Sequence, residues 1–161
     1  MATIDQIIDT FQSLDEQIRL EVLLDYANKL PELPPELARA ADSDDSGRVH
    51  ECMTPVWIWV ARDGSGEGVR VYARVGEEAP TLRGIVSVIA HGYEGASPWA
   101  LAQLPGDLVT RLGLGGVVRM NRLVGLNAMI DRIRREAGAL IEREDRPEEN
   151  RGASRQEGAA R

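Results

Sequence analysis

The residue in this sequence best suited to chemistry is Cys52, the single cysteine among 161 residues. His50 and Glu51 precede it and Pro55 follows it, so the thiol does not lie within an apolar run. A free cysteine is most often a buried, unreactive core residue. However, Pro55 prevents regular strand pairing at this point, and the polar neighbours favour a loop, where functional residues collect. The pattern therefore favours a loop thiol that acts as a nucleophile, with an inert core cysteine as the alternative.

Metal binding and hydrolysis fit these residues less well. A zinc site needs several converging ligands, and His50, Glu51 and Cys52 together with the distant His91 supply few. A cysteine hydrolase needs a histidine base that a third group orients. His50 lies two residues before Cys52 in a stretch expected to be extended, so it would share a face with the thiol, but no orienting group is evident. We therefore expect no metal ion and no bound cofactor. The glycine-rich residues 63–68 are expected to join two strands, which is not the strand-to-helix setting of a phosphate loop.

A single accessible thiolate is sufficient for one reaction, the acceptance of sulfur. It attacks the outer sulfur of another protein's persulfide, in the same displacement that drives thiol–disulfide exchange. Such an acceptor must reach into a partner's active site and must then shelter its own persulfide from free thiols. A loop beside the apolar face of a sheet is expected to provide both.

Composition places the chain among ordinary globular proteins. Apolar residues make up 43% and charged residues 28%, which suits one domain with a core of its own. The net charge of −7 argues against a nucleic-acid partner, because phosphate binding needs a basic surface. The apolar runs are too short to span a bilayer, and the first residues do not resemble a secretory signal. One cysteine cannot form an internal disulfide, so we expect a reducing, cytoplasmic location.

Hydrophobic periodicity and turn signals predict an α+β fold. Long helices are expected at residues 3–14, 14–30, 80–91 and 121–140, and short helical segments at 35–41, 97–104 and 107–112. Strands are expected at residues 48–50, 56–61 and 69–75. About three antiparallel strands would then form a small sheet that helices cover on one side.

Local signals add detail to the helices. Thr3 with Gln6 and Ser13 with Glu16 match capping boxes that would open the first two helices, and Asn121 is expected to cap the last one. On that last helix the arginines at 132, 134 and 135 are expected to face solvent. We assign residues 1–141 to one domain. Residues 142–161 lack the apolar side chains of a core, so we expect a disordered, charged tail there.

In the order and spacing of several motifs, the chain resembles the SufE family, the sulfur acceptors of cysteine desulfurases. The central motif is Val49-His-Glu-Cys-Met-Thr-Pro-Val-Trp57, which is similar to the family's Val-x-Gly-Cys-x-Ser-x-Val-Trp. The others are Leu20-Glu-Val-Leu-Leu-Asp-Tyr26, Leu30-Pro-Glu-Leu-Pro34, Arg83-Gly84, Tyr93-Glu-Gly95, Leu112-Gly-Leu114, Asn121-Arg122 and Gly125-Leu126. The likeness spans roughly residues 4–140.

The resemblance implies a function and a site. Cys52 would carry a persulfide received from a pyridoxal-phosphate-dependent (SufS-like) cysteine desulfurase, stimulate that enzyme, and pass the sulfur to an iron–sulfur scaffold of the SufBCD type. The chain would act as an accessory protein and not as a stand-alone enzyme. Arg122 falls on the family's helix-start arginine, which implies a structural or partner-contact role. A guanidinium near the loop would also favour the thiolate, and helix capping or surface pairing is the alternative. Glu51 in place of glycine and Pro55 in place of a polar residue depart from the family motif. A binding module that activates the desulfurase with an inert Cys52 is the competing hypothesis, and a stand-alone thiol enzyme such as a peroxidase is a third.

Overall fold

The computed structural model describes residues 2–145, and it has the α+β architecture that the sequence predicted. Its elements in chain order are helices α1 (Ile4–Ser13), α2 (Glu16–Asn28) and α3 (Pro35–Ser43), strands β1 (Val56–Arg62) and β2 (Val69–Val75), and helices α4 (Pro80–Gly92), α5 (Pro98–Ala102), α6 (Leu108–Arg111) and α7 (Met120–Glu144).

Strands β1 and β2 form an antiparallel hairpin. Val56 pairs with Val75 at one end, and Arg62 pairs with Val69 beside the turn. In that turn Gly66 has a φ of 79°, in the left-handed region that favours glycine. The glycine-rich stretch therefore joins two strands, as predicted.

The third strand expected at residues 48–50 is reduced to an isolated bridge between Arg48 and Trp57. Two backbone hydrogen bonds flank this bridge: the Ile58 amide donates to the Gly47 carbonyl at 2.8 Å, and the Val49 amide donates to the Val56 carbonyl at 2.9 Å. The pairing stops there because the chain turns away at residues 50 and 51. The predicted sheet of about three strands is therefore corrected to two strands and a bridge.

One face of the hairpin carries the core. The residues of β1 and β2 that point to this face are fully or almost fully buried, and α7 packs against β1 while α4 packs against β2. Helix α2 lies on α4 in turn. The other face holds half-buried side chains, including Trp57, Trp59 and Tyr72. The starts of α4 and α7 and the segment before β1 meet at one corner of the core.

The helix ends differ from the predictions at two of three points. Thr3 and Gln6 form the expected capping box. Ser13 instead belongs to α1, where its hydroxyl donates to the Thr10 carbonyl, and the N-cap of α2 is Asp15. Helix α7 begins at Met120, so Asn121 lies inside its first turn and does not cap it.

Helix α7 continues to Glu144, beyond the predicted domain boundary at residue 141. Residues 142–144 are therefore helical and not part of a disordered tail, because the i−4 hydrogen bonds of the helix continue through them. The remaining residues of the predicted tail, 146–161, lie outside the described residues. Within residues 2–145, none of the helices combines the length and apolar character needed to cross a bilayer.

Gly84 lets α4 lie directly on α2. A Cβ atom at this position would lie 2.5 Å from the Leu23 carbonyl oxygen and 2.8 Å from Leu23 Cγ. We predict that Gly84→Ala lowers the free energy of unfolding by about 1–3 kcal/mol, because overpacking at a backbone contact outweighs the roughly 1 kcal/mol that alanine gains over glycine in a helix.

Gly138 on α7 is the matched control, because a Cβ atom there meets nothing within 4 Å. Gly138→Ala should leave the stability unchanged or raise it by up to about 1 kcal/mol. Urea unfolding followed by circular dichroism measures both variants. Equal stability of the two would show that α2 and α4 do not depend on this close contact.

Candidate functional site

Cys52 lies on a six-residue loop, residues 50–55, which we call the Cys52 loop. The hydrogen bond from the Val49 amide to the Val56 carbonyl closes its base. Inside the loop the Cys52 amide donates to the Val49 carbonyl at 3.3 Å, which makes a tight turn at His50 and Glu51. Beyond that turn few backbone hydrogen bonds restrain the loop, and segments with few such bonds open at low free-energy cost. The loop therefore has a fixed base and a lightly held tip.

Arg132 of α7 holds the base of the loop. Its Nε donates to the Ile58 carbonyl at 3.0 Å, and its Nη2 donates to the Ser46 carbonyl at 2.8 Å. The guanidinium also pairs with Glu136 at 3.1 Å. The side chain is only 17% exposed, so the expectation that Arg132 faces solvent is wrong. A guanidinium offers five donors in a fixed plane, and here two of its nitrogens bind one carbonyl on each of the two chain segments that the bridge joins.

Two further contacts support the segment that leads into the loop. The Arg48 guanidinium lies over the Trp57 ring, 4.9 Å from the ring centroid, as in a cation–π contact. One turn earlier, hydrogen bonds from Ser46 hold the pKa of the Asp44 carboxyl below its usual range. The Ser46 amide is one of the donors, at 2.8 Å. These hydrogen bonds to the Asp44 carboxylate close the turn before the bridge.

The Cys52 side chain packs into the corner between the loop, α4 and α7. Cys52 lies in a loop, as predicted. However, the residue is only 9% exposed, so the accessible thiol expected from its polar neighbours is not observed. A cavity of about 220 Å³ adjoins the thiol. Its walls are Cys52, Met53, Thr54, Leu82, Asn121, Arg122 and Gly125.

Gly125 of α7 determines how closely the thiol approaches the helix. A Cβ atom on Gly125 would lie 3.0 Å from both Cys52 Cα and Cys52 Sγ. These distances are shorter than normal van der Waals contact, so a side chain at 125 would press on the loop. The absence of a side chain is what allows the thiol to rest on the backbone of α7.

Arg122 brings a positive charge to the same cavity. It is exposed in the first turn of α7 and lines the cavity beside Cys52. Among the described residues, no carboxylate lies within ion-pair distance of its guanidinium, and the guanidinium donates no hydrogen bond to them. It is therefore available to an anion that reaches the cavity, such as a thiolate or a persulfide.

Residues 5–137 match the family model described as "SufE: Fe-S metabolism associated domain". The chain belongs to the SufE family. Among curated SufE-family relatives, an uncharacterized SufE-like protein of Mycobacterium tuberculosis is 34% identical over 134 residues, which are 83% of this chain and 90% of the relative. An uncharacterized SufE-like protein of Rhizobium meliloti is 29% identical over 139 residues, 85% of this chain and 96% of the relative.

The fold agrees with a solved structure. The solution structure of a hypothetical protein from Thermus thermophilus superimposes on this SufE-family chain with a TM-score of 0.73 and 32% sequence identity. The match covers 88% of this chain and 99% of the other one.

The structure brings together two of the four candidate site residues of this SufE-family chain. Cys52 and Arg122 line one cavity. His50 is exposed on the turn and is not among the residues that line it. Glu51 lines a separate recess on the α7 side, with Val124 and Arg135. Because residues 50 and 51 form a turn and not a strand, the strand alternation that would place His50 beside Cys52 does not apply.

His91, the other histidine considered as a metal ligand, does not line the Cys52 cavity. His91 ends α4, and its Nε2 lies 2.9 Å from the Lys29 carbonyl oxygen, on the α2 side. No group of three His, Cys, Asp or Glu side chains within residues 2–145 converges closely enough to hold a metal ion.

Three residues of the site were not singled out as functional by sequence reasoning. Leu82 forms a wall of the cavity, Gly125 supports the thiol, and Arg132 holds the loop base. Gly125 carried a signal, because a glycine inside an amphipathic helix pattern often marks a close approach of another backbone. Arg132 carried none, because its carbonyl partners are 74 and 86 residues away in sequence.

We predict that Gly125→Ala exposes the thiol. Overpacking of about 1 kcal/mol against the sheltered position of the loop shifts its equilibrium with displaced positions by about fivefold. The rate at which iodoacetamide alkylates Cys52 should therefore rise by about that factor. Gly138→Ala on the same helix is the control and should alkylate at the wild-type rate. An unchanged rate in a folded Gly125→Ala protein would mean that the helix backbone does not shelter the thiol.

Proposed function

We propose that the protein accepts sulfur on Cys52 from the persulfide of a pyridoxal-phosphate-dependent cysteine desulfurase. The observation that carries the proposal is the setting of Cys52 in a SufE-family chain: the single thiol lies on a short loop with an anchored base, next to a cavity that opens at the surface. This setting combines reach with shelter, which are the two requirements of a sulfur carrier.

The transfer step is a displacement at sulfur. The Cys52 thiolate attacks the outer sulfur of the donor persulfide, and a new S–S bond forms on Cys52. The S–S bond within the donor breaks, and its electron pair leaves with the donor cysteine as a thiolate. The thiol proton of Cys52 goes to solvent before the attack. No net oxidation or reduction takes place, so the step requires no cofactor in the acceptor.

The cavity suits the product of this step. Its volume of about 220 Å³ exceeds the roughly 30 Å³ that one water molecule occupies in the liquid, so one added sulfur atom fits beside the thiol. The Arg122 guanidinium at the same cavity stabilises the negative charge of the persulfide. Leu82 and the α7 backbone at Gly125 keep free thiols from the inner side.

The loop must open for the transfer. At 9% exposure, the thiol cannot meet a donor while it rests on α7. The base remains held by Arg132 and by the bridge to β1, so the expected motion is confined to residues 50–55. The donor's active site then replaces the contacts that the cavity provides in the resting state.

The carrier role places the protein between two partners. The donor is a SufS-like desulfurase, which the acceptor stimulates by removing its persulfide. The downstream acceptor is a SufBCD-like scaffold for iron–sulfur cluster assembly. The protein acts in the cytoplasm, where a single unpaired cysteine stays reduced, and it is an accessory protein and not a stand-alone enzyme.

The direct test is the mass of the protein after reaction. Wild-type protein is mixed with the desulfurase and cysteine, separated from both without reductant, and analysed by mass spectrometry of the intact protein. We expect a species about 32 Da heavier than the starting protein, the mass of one sulfur atom transferred by thiolate attack. Cys52→Ser is the matched control and should stay at its starting mass. No added mass on the wild-type protein, or the same added mass on the variant, would contradict sulfur transfer to Cys52.

The burial of Cys52 favours a second candidate function. A thiol that stays in its cavity is an ordinary core cysteine, and the protein would then activate the desulfurase by binding alone. The two functions differ in the effect of Cys52→Ala on desulfurase turnover. We expect the variant to lose nearly all of the stimulation, by at least about tenfold, because it has no nucleophile to remove the persulfide. If most of the stimulation remains, the activator function is correct.

A further inference from the structure

The resting position of the Cys52 loop closes the thiol to a protein but not to a small solute. Cys52 is 9% exposed, so a protein donor reaches it only after the loop opens. The cavity beside the thiol has a volume of about 220 Å³ and is bordered by the exposed side chains of Met53, Asn121 and Arg122. One water molecule occupies roughly 30 Å³ in the liquid. A solute of several heavy atoms therefore fits beside the thiol while the loop stays in place.

Three polar side chains in the cavity wall offer hydrogen-bond donors to such a solute. They are the Thr54 hydroxyl, the Asn121 amide and the Arg122 guanidinium. Within residues 2–145, neither these three side chains nor the Cys52 thiol takes part in a side-chain hydrogen bond. A few polar groups that converge on a cavity fix the orientation of a bound ligand.

The charge of the cavity favours an anion. Among the described residues that line it, Arg122 is charged and the others are neutral. Glu51 precedes Cys52 in sequence, but it lines the separate recess on the α7 side and not this cavity. A guanidinium binds oxyanions through two parallel N–H groups. The cavity therefore suits a small oxyanion held directly beside the nucleophile.

We propose that Cys52 also accepts sulfur from a small anionic donor in which the transferable sulfur is bonded to a sulfonate group. Thiosulfate is the simplest compound of this class. Its sulfonate oxygens accept hydrogen bonds from Arg122, Asn121 and Thr54, which leaves the outer sulfur to the thiol. This is a further activity of the same nucleophile, and it requires neither a protein donor nor the opening of the loop.

The transfer is a displacement at sulfur. The Cys52 thiol first loses its proton to solvent, and the thiolate attacks the outer sulfur of thiosulfate. A new S–S bond forms on Cys52, the S–S bond of thiosulfate breaks, and its electron pair leaves with sulfite. The products are a Cys52 persulfide and free sulfite, so the step needs no added oxidant or reductant.

Arg122 is the residue on which a small donor depends most. The Cys52 thiolate and thiosulfate are both anions and repel each other, and the guanidinium at the same cavity offsets this repulsion. Thr54 and Asn121 provide neutral hydrogen bonds, which contribute less than a hydrogen bond to a charged group.

The test uses the full chain and thiosulfate without any desulfurase. Cyanide is added to take the transferred sulfur from Cys52 as thiocyanate, which regenerates the thiolate and allows repeated turnover. The rate of thiocyanate formation at increasing thiosulfate concentrations gives kcat and KM. Mass spectrometry of the intact protein after reaction with thiosulfate alone should show a species about 32 Da heavier, the mass of one sulfur atom. Thermal unfolding verifies that each variant is folded.

Four variants locate the activity. Cys52→Ser should form neither the heavier species nor thiocyanate. Arg122→Gln should lower kcat/KM at least about tenfold, because a charge-assisted hydrogen bond is lost, and Asn121→Ala should lower it by about twofold to fivefold. Arg39→Gln removes the charge of an exposed arginine on α3 and should keep the wild-type values. Sulfate has the oxygens of thiosulfate without its outer sulfur and should inhibit the wild type competitively.

Alkylation gives a readout that does not depend on sulfur transfer. Iodoacetate and iodoacetamide react at the same kind of carbon, but only iodoacetate is an anion. The ratio of the iodoacetate rate to the iodoacetamide rate at Cys52 should fall at least about threefold in Arg122→Gln, because the cation that attracts the anion is removed. A change in the exposure of the loop alone would alter both rates alike. An unchanged ratio would show that Arg122 does not draw anions to the thiol and would overturn the inference.

The outcomes separate this inference from the proposed function. Sulfur transfer from the desulfurase, with neither persulfide nor thiocyanate formed from thiosulfate, would overturn the small-donor activity and leave the carrier function in place. Transfer from thiosulfate without transfer from the desulfurase would support the inference and contradict the carrier function. Equal kcat/KM in the wild type and Arg122→Gln would also overturn the inference, because the donor would then react without binding in the cavity.

Discussion

The two hydrogen bonds from Arg132 to the Ser46 and Ile58 carbonyls join α7 both to the segment that precedes the Cys52 loop and to β1, which follows it. Without them this segment would be joined to β1 only through the bridge with its two backbone hydrogen bonds and the Arg48–Trp57 contact. Backbone carbonyls at a partly buried sheet edge need partners, and a planar guanidinium supplies two at once. Because the same helix carries Arg122 and Gly125, the contact fixes the loop base relative to the residues that surround the thiol.

The burial of Cys52 is compatible with its proposed reactivity because the loop is held firmly only at its base. The base is held by backbone pairing and by Arg132, whereas the tip rests on α7 through the contact at Gly125. Contacts at the tip are limited to a few side chains, so they can be exchanged for contacts with a partner at small cost. The resting position on α7 shelters the thiol from solvent, and the proposed transfer requires that a donor replace the contacts of that position.

The same corner of the fold has an unusual distribution of charge and apolar surface. Many arginines of this acidic chain are satisfied by carboxylates or by backbone carbonyls, as with Arg19 and Arg83. Those at the start of α7 have no such partner among residues 2–145, and the most exposed methionines lie beside them. Methionine adapts its shape to different partners. This corner of the fold therefore exposes apolar and positively charged side chains together.

The sequence by itself determined the α+β class, the two strands of the hairpin, most of the helix positions and the loop setting of Cys52, because periodicity, turn residues and proline act over a few neighbouring residues. The family resemblance pointed to Cys52 and Arg122 separately, and the structure shows that both line one cavity. Only the tertiary structure decided that the thiol is buried, that His50 lies apart from it, and that Arg132 and Gly125 support its loop. The supporting contacts join residues that are distant in sequence, such as Cys52 with Gly125. Such contacts depend on how α7 packs against β1, and no local pattern encodes that packing.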